Sequence, residues 1–235
     1  GVRTALTGVL LALASHAAAQ GLVGKTVRIL VPFPAGGVND LVARSFTTEL
    51  GTALGANVIV ENRGGAGGSI GTAVVAKAAP DGQSLLFTAA SHTINGSLYV
   101  KLPYDPIKDF AGVAIVGTSC YQLLASIDLP AKNVAELIAY AKANPGKLNY
   151  TTAGIGSAAH LSMAYLAGLA GIGLVHVPMR GMAEAANEIV AGRSQMMIFA
   201  GGTQYAKEPR VRMLGVTSIK RSKFLPDVPT INENG

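Results

Sequence analysis

Short apolar runs alternate with stretches of helical spacing along the chain from Val27 onward. Between Val42 and Leu54, apolar residues recur at every fourth position, which predicts a helix with one buried face. The predicted helices are Asn39–Leu54, Ser69–Ala78, Val134–Ala143, Ser157–Leu169 and Met182–Ala191. The predicted strands are Val27–Val31, Asn57–Val60, Ser84–Ala89, Val113–Val116, Gln122–Ser126, Leu148–Thr152, Leu174–Val177, Met196–Phe199 and Val211–Thr217. Strands that alternate with helices in this way are typical of an α/β fold with mainly parallel sheets.

Two segments share one plan, a strand that runs through a glycine-containing turn into a helix. The strand Val27–Val31 continues through PFPAGG, and the strand Leu148–Thr152 continues through AGIGS. Glycine permits a positive φ or a close approach of the backbone, and we expect Gly37 and Gly156 to use this freedom. A helix start carries unpaired N–H groups and a partial positive charge, which suit an anion. Two such turns that face each other can hold one small anion, whereas ordinary connections that need glycine only for geometry are the simpler alternative.

Composition and charge narrow the class of partner. The 235 residues carry a formal net charge of +6, and the basic residues are scattered, without the run that is typical of nucleic-acid binding. Cys120 is the only cysteine, so an internal disulfide is not available. Residues 1–19 combine Arg3, an apolar run and the motif AAA before Gln20, which is the pattern of a secretory signal peptide. We therefore expect an exported protein, cleaved near Ala19, that does not bind nucleic acid.

Several motifs imitate those of enzymes without their full context. GIGSAA from Gly154 matches a dinucleotide fingerprint, but HVP at His176 stands where an acid is needed to hold the ribose. Prolines interrupt the pair Tyr104 and Lys108, which a short-chain dehydrogenase would carry on one helix. Ser69 lies in G-x-S-x-G, but too far beyond its strand for a nucleophile elbow. We predict neither catalysis nor a metal or cofactor, and an oxidoreductase or hydrolase is the weaker alternative.

A series of longer phrases resembles one known family. These phrases are VPFPAGGVND, VENRGGAGGSIGTAVVAKAAPDGQSLL, LPYDPIKDF, ELIAYAKANPGKLNYTTAGIGSAAHL, HVPMRG and LPDVPT, and they run from Val27 to Thr230. They resemble the Bug family, the extracytoplasmic receptors of tripartite tricarboxylate transporters. The resemblance implies a monomeric, two-lobed periplasmic binding protein of the type II-like class that closes on a small carboxylate, an organic acid or an amino acid. It also implies delivery to membrane permease subunits, with presentation to a sensor kinase as the alternative.

The resemblance implies a set of ligand-binding residues in the two turns and in two flanking segments. The set is Phe33, Pro34, Ala35, Gly36, Gly37, Asp40, Ser91, Thr152, Ala153, Gly154, Gly156, Ser157, His160, Met179, Arg180 and Gly181. Two of these residues have open alternatives. Asp40 either caps the following helix or faces the cleft, where it would repel a second ligand carboxylate. His160 either reaches the cleft or belongs to the core or the surface.

The resemblance also implies the division of the chain. After the signal peptide, residues 20–118 form the first lobe, residues 119–215 form the second lobe, and residues 216–235 cross back towards the first lobe. Members of the family continue beyond LPDVPT and return to complete the first lobe. We therefore expect that a C-terminal return segment is missing from this sequence.

Overall fold

The computed structural model describes residues 21–200 and 203–234, and the predicted signal peptide at residues 1–19 lies outside the described residues. The described elements form two lobes, each with its own sheet, so the predicted α/β fold is confirmed. The first sheet lies within the predicted range 20–118, and the second begins inside 119–215 and ends at Val216. Within the described ranges, no helix has both the length and the apolar character needed to cross a bilayer.

The first lobe contains a three-stranded parallel sheet in the order β2-β1-β3. Its strands are β1 (Thr26–Val31), β2 (Asn57–Asn62) and β3 (Ser84–Leu86), and its helices are α1 (Val38–Ser45), α2 (Thr47–Leu54), α3 (Ser69–Ala76) and α4 (Ser91–Leu98). The central strand pairs Ile29 with Val60 on one side and with Leu85 on the other. Burial of Ile29, Val31 and Ala43 anchors the core of this lobe. Pro32 follows directly, and its missing N–H ends the ladder there.

The helix predicted over Asn39–Leu54 is in fact two helices that meet at Phe46. Phe46 has a φ of −122° and a ψ of 5°, outside the helical region. On either side of it, the Ser45 hydroxyl donates to the Val42 carbonyl and the Thr47 hydroxyl to the Arg44 carbonyl. Such local side-chain bonds compete with the regular helical pattern. The break lets the Phe46 ring pack 5.8 Å from the Phe87 ring in the core.

The second lobe contains a five-stranded mixed sheet in the order β6-β5-β7-β4-β8. Its strands are β4 (Tyr121–Ser126), β5 (Leu148–Thr152), β6 (Leu174–Pro178), β7 (Met196–Ala200) and β8 (Val211–Val216), and its helices are α5 (Val134–Ala143), α6 (Ala158–Ala170) and α7 (Met182–Val190). β5 is parallel to β6 and β7, whereas β4 is antiparallel to β7 and β8. Leu123, Met163, Met196 and Ile198 are buried in the larger of its two core clusters.

One predicted strand is wrong and one helix was missed. Val113–Val116 belongs to neither sheet, and Val113 and Ile115 are 82% and 87% exposed. An apolar run becomes a strand only where a neighbouring strand pairs with it, and this run has no such partner among the described residues. Conversely, α4 has the sequence SHTINGSL, in which most residues are weak helix formers, and the helix is stabilised by packing against other elements of the first lobe.

The described part of residues 216–235 lies against the second lobe. Val216 forms a bridge with Thr230, and Arg221 pairs with Glu233. The short 3-10 turn Ile231–Asn234 packs on α5 and β8. The boundaries of the lobes and the crossover to the first lobe stay predictions.

Candidate functional site

A cavity of about 350 Å³ lies between the lobes. The first lobe contributes Phe33, Pro34, Ala35, Gly37, Val38, Asn39, Ala89 and Ser91. The second lobe contributes Tyr121, Ala158, Ala159, Arg180, Gly181, Met182, Ala183, Glu184 and Ala200. Most of these side chains are apolar, so the walls favour a ligand that has an apolar body and few polar groups.

Four helices begin at the wall of this cavity. α1 contributes its first residues after Gly37, α4 contributes Ser91, α6 contributes Ala158 and Ala159, and α7 contributes its first residues after Gly181. The first four N–H groups of a helix have no partner inside the helix. Their dipoles add a partial positive charge at each start. The cavity therefore has several sources of positive potential that come from the backbone, in addition to the side chain of Arg180.

Three of these helix starts keep their N–H groups free of side-chain caps. No side chain caps α1, α4 or α7, whereas the Ser157 hydroxyl accepts the N–H of His160 at the start of α6. The Ser91 hydroxyl is also available, because it is 2% exposed and has no hydrogen-bond partner among the described residues. Such groups are costly to bury unless something bonds to them. A bound carboxylate would satisfy both kinds of donor.

Asp40 shapes the turn between β1 and α1. Its Oδ2 atom accepts the Gly36 N–H at 2.8 Å, while its Oδ1 atom accepts bonds at 2.9 Å from Arg44 Nε and from Asn62 Nδ2. Burial raises the pKa of Asp40, but these bonds from Arg44, Gly36 and Asn62 outweigh it, so the pKa lies below its usual value. With both oxygens occupied, Asp40 acts on the turn itself. The N-cap of α1 is Gly37, and Asp40 is not among the residues that line the cavity, so a ligand contact of Asp40 stays a prediction.

The two glycines of this first turn differ in backbone conformation. Gly36 has a φ of +79°, which glycine adopts readily, whereas Gly37 has a φ of −75°. The expectation that Gly37 requires a positive φ is therefore wrong. A Cβ atom on Gly37 would lie 3.4 Å from the Pro34 carbonyl oxygen, which is an ordinary contact. Gly36 provides the sharp turn, and Gly37 brings the start of α1 to the cavity wall.

The turn between β5 and α6 faces the first lobe and does not line the cavity. Gly156 has the expected positive φ, +81°, and a Cβ atom there would collide with the Asn95 side chain of α4. Across the same contact, a Cβ atom on Gly67 would collide with the Ile155 carbonyl oxygen, and the Tyr99 hydroxyl donates to that oxygen at 3.2 Å. We call this contact of residues 154–156 with Gly67 and α4 the interlobe seam. It holds the lobes together beside the cavity.

Two stacked histidines support the second turn from behind. The rings of His160 and His176 lie 4.2 Å apart, and the Gly156 N–H donates to His160 Nδ1 at 3.4 Å. His176 Nε2 lies 2.7 Å from the Thr152 hydroxyl, which in turn accepts the Gly154 N–H. Burial lowers the pKa of His160. Burial, and secondarily the charge of His160, lower the pKa of His176 to about 4. Neutral rings therefore fix the turn that forms the seam.

The predicted binding residues fall into two groups. Those that line the cavity are Phe33, Pro34, Ala35, Gly37, Ser91, Arg180 and Gly181. Those that lie outside its lining are Gly36, Asp40, Thr152, Ala153, Gly154, Gly156, Ser157, His160 and Met179. A direct ligand contact stays a prediction for every residue in the set. The second group supports the turns or the seam, as the contacts of Asp40 and Gly156 illustrate.

Ten lining residues lie outside the predicted set, and three of them form the start of α7. These are Met182, Ala183 and Glu184, which follow β6 and Gly181. The same plan of strand, glycine and helix that marked the first two turns is present here as HVPMRGMAEA. This signal was available in the sequence. Tyr121 and Ala200 had no such signal, because they lie at paired ends of β4 and β7 that only the folded sheet brings to the cavity.

The enzyme-like motifs do not assemble in the structure. Tyr104 is buried, whereas the Lys108 side chain is 85% exposed and pairs with Asp105. The glycines of the dinucleotide-like phrase, Gly154 and Gly156, pack against the other lobe in the interlobe seam. In the described part of the chain, no group of three or more His, Cys, Asp or Glu side chains is placed to hold a metal ion.

Comparison with known proteins agrees with this architecture. The sequence model of a family described as "Tripartite tricarboxylate transporter family receptor" matches residues 42–235. An R. palustris protein solved with adipate is 32% identical, with 90% of this chain and 72% of that protein covered and a TM-score of 0.85. The periplasmic binding protein BugD is 38% identical, with 90% and 71% covered and a TM-score of 0.81. MatC from Rhodopseudomonas palustris with bound malate is 33% identical, with 90% and 73% covered and a TM-score of 0.83.

These matches span nearly the whole described chain, and the family consists of binding proteins. The predicted resemblance is thereby confirmed. This chain belongs to the family of tripartite tricarboxylate transporter receptors, the TctC-like or Bug solute-binding proteins.

Proposed function

We propose that this protein captures a small carboxylate in the cavity between its lobes and presents it to the permease of a tripartite tricarboxylate-type transporter. The observation that carries the proposal is that four helices, two from each lobe, begin at the lining of one cavity, three of them without a side-chain cap. A carboxylate is a compact anion that accepts several N–H bonds at once. Delivery to a permease and location in the periplasm rest on the family alone.

The dimensions of the cavity support a ligand of limited size. A volume of about 350 Å³ is at the small end of the usual range for ligand sites. Phe33, Tyr121 and Met182 give it broad apolar walls. The ligand is therefore a short organic acid or amino acid whose carboxylate meets the helix starts and whose carbon skeleton packs on these side chains.

The available donors are sufficient for useful affinity. A micromolar dissociation constant corresponds to about 8 kcal/mol of binding free energy. Hydrogen bonds to a charged group contribute roughly 1.5–3 kcal/mol each. Four or so N–H groups, with the apolar contacts that close around the ligand, reach this range without a metal ion.

A first test is a thermal-shift screen with organic acids and amino acids, followed by calorimetric titration of the hits. Ligand at about a hundredfold excess over its dissociation constant adds about 2.7 kcal/mol to the free energy of unfolding. We expect a clear shift for at least one carboxylate and no shift for the matching primary amide. Failure of every carboxylate to bind contradicts the proposal.

A second test removes a single N–H group from the cavity wall. Val38 is the first residue of α1, and Gly37 before it is extended, so proline at position 38 is compatible with the helix. Val38→Pro deletes the N–H, whereas Val38→Ala deletes the side chain and keeps it. We expect Val38→Pro to weaken binding about tenfold more than Val38→Ala does. Equal affinities of the two folded variants would mean that this N–H does not contact the carboxylate.

A further inference from the structure

Glu184 is the only acidic side chain among the residues that line the cavity, all of which lie in the described part of the chain. It is the third residue of α7, and its Oε2 atom accepts the Arg180 N–H at 3.0 Å. This bond folds the carboxylate back over the start of its own helix. Its position is therefore set before any ligand arrives.

The other oxygen of Glu184 remains available. Within residues 21–200 and 203–234, Oε1 has no hydrogen bond and the carboxylate has no ion pair. A carboxylate offers about four acceptor positions, of which the Arg180 N–H uses one. A donor on a ligand in the cavity can therefore bond to Oε1 without displacing a protein group.

Asp40 differs from Glu184 in the exposure and the hydrogen bonding of its carboxylate. Asp40 is likewise the third residue of its helix, α1, but it is 3% exposed and both of its oxygens are occupied by Gly36, Arg44 and Asn62. Its charge is compensated by Arg44 at 2.9 Å. The negative charge that a ligand meets comes from Glu184 instead.

The cavity thus presents positive helix starts and one negative side chain. A ligand with a carboxylate and an ammonium group complements both, since charge-assisted hydrogen bonds are the stronger ones. A second carboxylate near Glu184 is repelled. Arg180 also lines the cavity, and because Arg180 and Glu184 are both exposed, water screens the repulsion by Glu184 as well as its compensation by Arg180.

We infer that Glu184 is a specificity-determining residue, which accepts a hydrogen bond from an ammonium or hydroxyl group of the ligand. It makes the cavity prefer amino acids, and to a smaller degree hydroxy acids, over plain carboxylic acids of the same length. The inference rests on the proposed function and names the ligand class more narrowly. It is independent of whether the partner is a permease.

The test is calorimetric titration with pairs of acids that differ by one amino group: alanine and propionate, aspartate and succinate, glutamate and glutarate. The proteins are the wild type, Glu184→Gln and Glu188→Gln. Glutamine at position 184 can still accept the Arg180 N–H, so the turn is retained while the charge is removed. Glu188 lies on the same helix, pairs with Arg193 and does not line the cavity, so its variant is a matched control for charge.

We expect the wild type to bind the amino member of a pair about tenfold more tightly, and Glu184→Gln to lose most of that preference. Glu188→Gln should keep it. A wild type that binds both members equally, or prefers the plain acid, overturns the inference, and so does a preference that survives in Glu184→Gln. The outcomes that overturn the inference about Glu184 are still compatible with carboxylate binding in the cavity. If no acid of any pair and no other carboxylate binds, the proposed function fails as well.

Discussion

The two turns that look alike in the sequence differ in what they face and in what holds them. The first turn contributes Phe33, Pro34, Ala35 and Gly37 to the cavity lining and is fixed by charged groups around Asp40. The second turn packs its glycines against the other lobe and is fixed by the neutral rings of His160 and His176.

This difference teaches that one local pattern can serve two purposes. In the first turn, glycine brings the start of a helix to the cavity wall. In the second turn, glycine lets two backbones approach so closely that no Cβ atom fits, as at Gly67 and Gly156. Binding therefore depends on both turns, but only the first is expected to respond to the chemistry of the ligand.

The largest effect is expected at the interlobe seam. A Cβ atom on Gly67 collides with the Ile155 carbonyl oxygen of the other lobe, so Gly67→Ala should oppose closure and weaken binding of every ligand about 100-fold. Gly68→Ala is the matched control. Gly68 also has a positive φ, +95°, but its nearest neighbours are Phe33 and Pro32 in its own lobe, at 3.4 Å and beyond. Titration calorimetry measures both variants. Equal losses would show that backbone strain, and not the seam, is responsible.

The next effect concerns the charged support of the first turn. We expect Asp40→Asn to lower the free energy of unfolding by about 2 kcal/mol, because it weakens hydrogen bonds that involve a charged group. Affinity should fall by the same factor for aspartate and for succinate, since Asp40 does not line the cavity. Urea unfolding measures the free energy of unfolding, and calorimetry measures the two affinities.

A double-mutant cycle of Asp40→Asn with Arg44→Gln should give a coupling free energy of about 1 kcal/mol between the two side chains. A loss of affinity for only one of the two ligands would indicate that Asp40 contacts the ligand in the cavity.

The neutral support of the second turn predicts a dependence on pH. The pKa of His176 is lowered to about 4 in the folded protein, so the folded state resists protonation. The contribution to stability is complete above about pH 6.5 and falls as the pH drops towards 4. Between about pH 7.5 and pH 5 we expect a loss of about 1 kcal/mol, reduced from the full linkage value because water reaches the ring in part. Melting curves of the wild type and His176→Gln test this, and identical pH slopes would contradict it.

The smallest effect is expected at Ser91, where a substitution tests whether the ligand contacts α4. Its hydroxyl is buried without a partner in the described structure, so Ser91→Ala should leave the free energy of unfolding unchanged or slightly raised. Binding should weaken about fivefold if the hydroxyl bonds to the ligand. Thr93→Ala, on the same helix and outside the cavity lining, is the control. Unchanged affinity in Ser91→Ala would place the ligand away from α4.

Much of the fold was predictable because its signals are local. Asn133 caps α5 by accepting the Glu136 N–H on its Oδ1 atom, the Glu136 carboxylate accepts the Lys132 N–H and the Asn133 side-chain amide, and α5 has the predicted bounds. The strand at Val113–Val116 failed because pairing depends on distant residues. α4 was missed because its sequence lacks helical propensity.

The candidate site was less predictable than the fold. The first turn and Arg180 were found at the cavity, since the start of a helix after a strand is visible in the sequence. The sequence does not reveal which of two similar turns meets a ligand and which meets the other lobe. That choice is made by the relative position of the lobes, through contacts such as Gly156 with Asn95. The prediction for the segment after β6 ended at Gly181 and did not include the helix start that follows, where Glu184 lies.

The most direct measurement is a crystal structure of the protein with a carboxylate identified by the thermal-shift screen. We predict that the carboxylate lies between the lobes, with its oxygens about 3 Å from at least two backbone nitrogen atoms at the starts of α1, α4, α6 and α7. The seam between Gly67 and residues 154–156 should be closed beside it. A carboxylate held by the Arg180 guanidinium alone, or bound outside this cavity, would contradict the central claim that helix starts form the binding site.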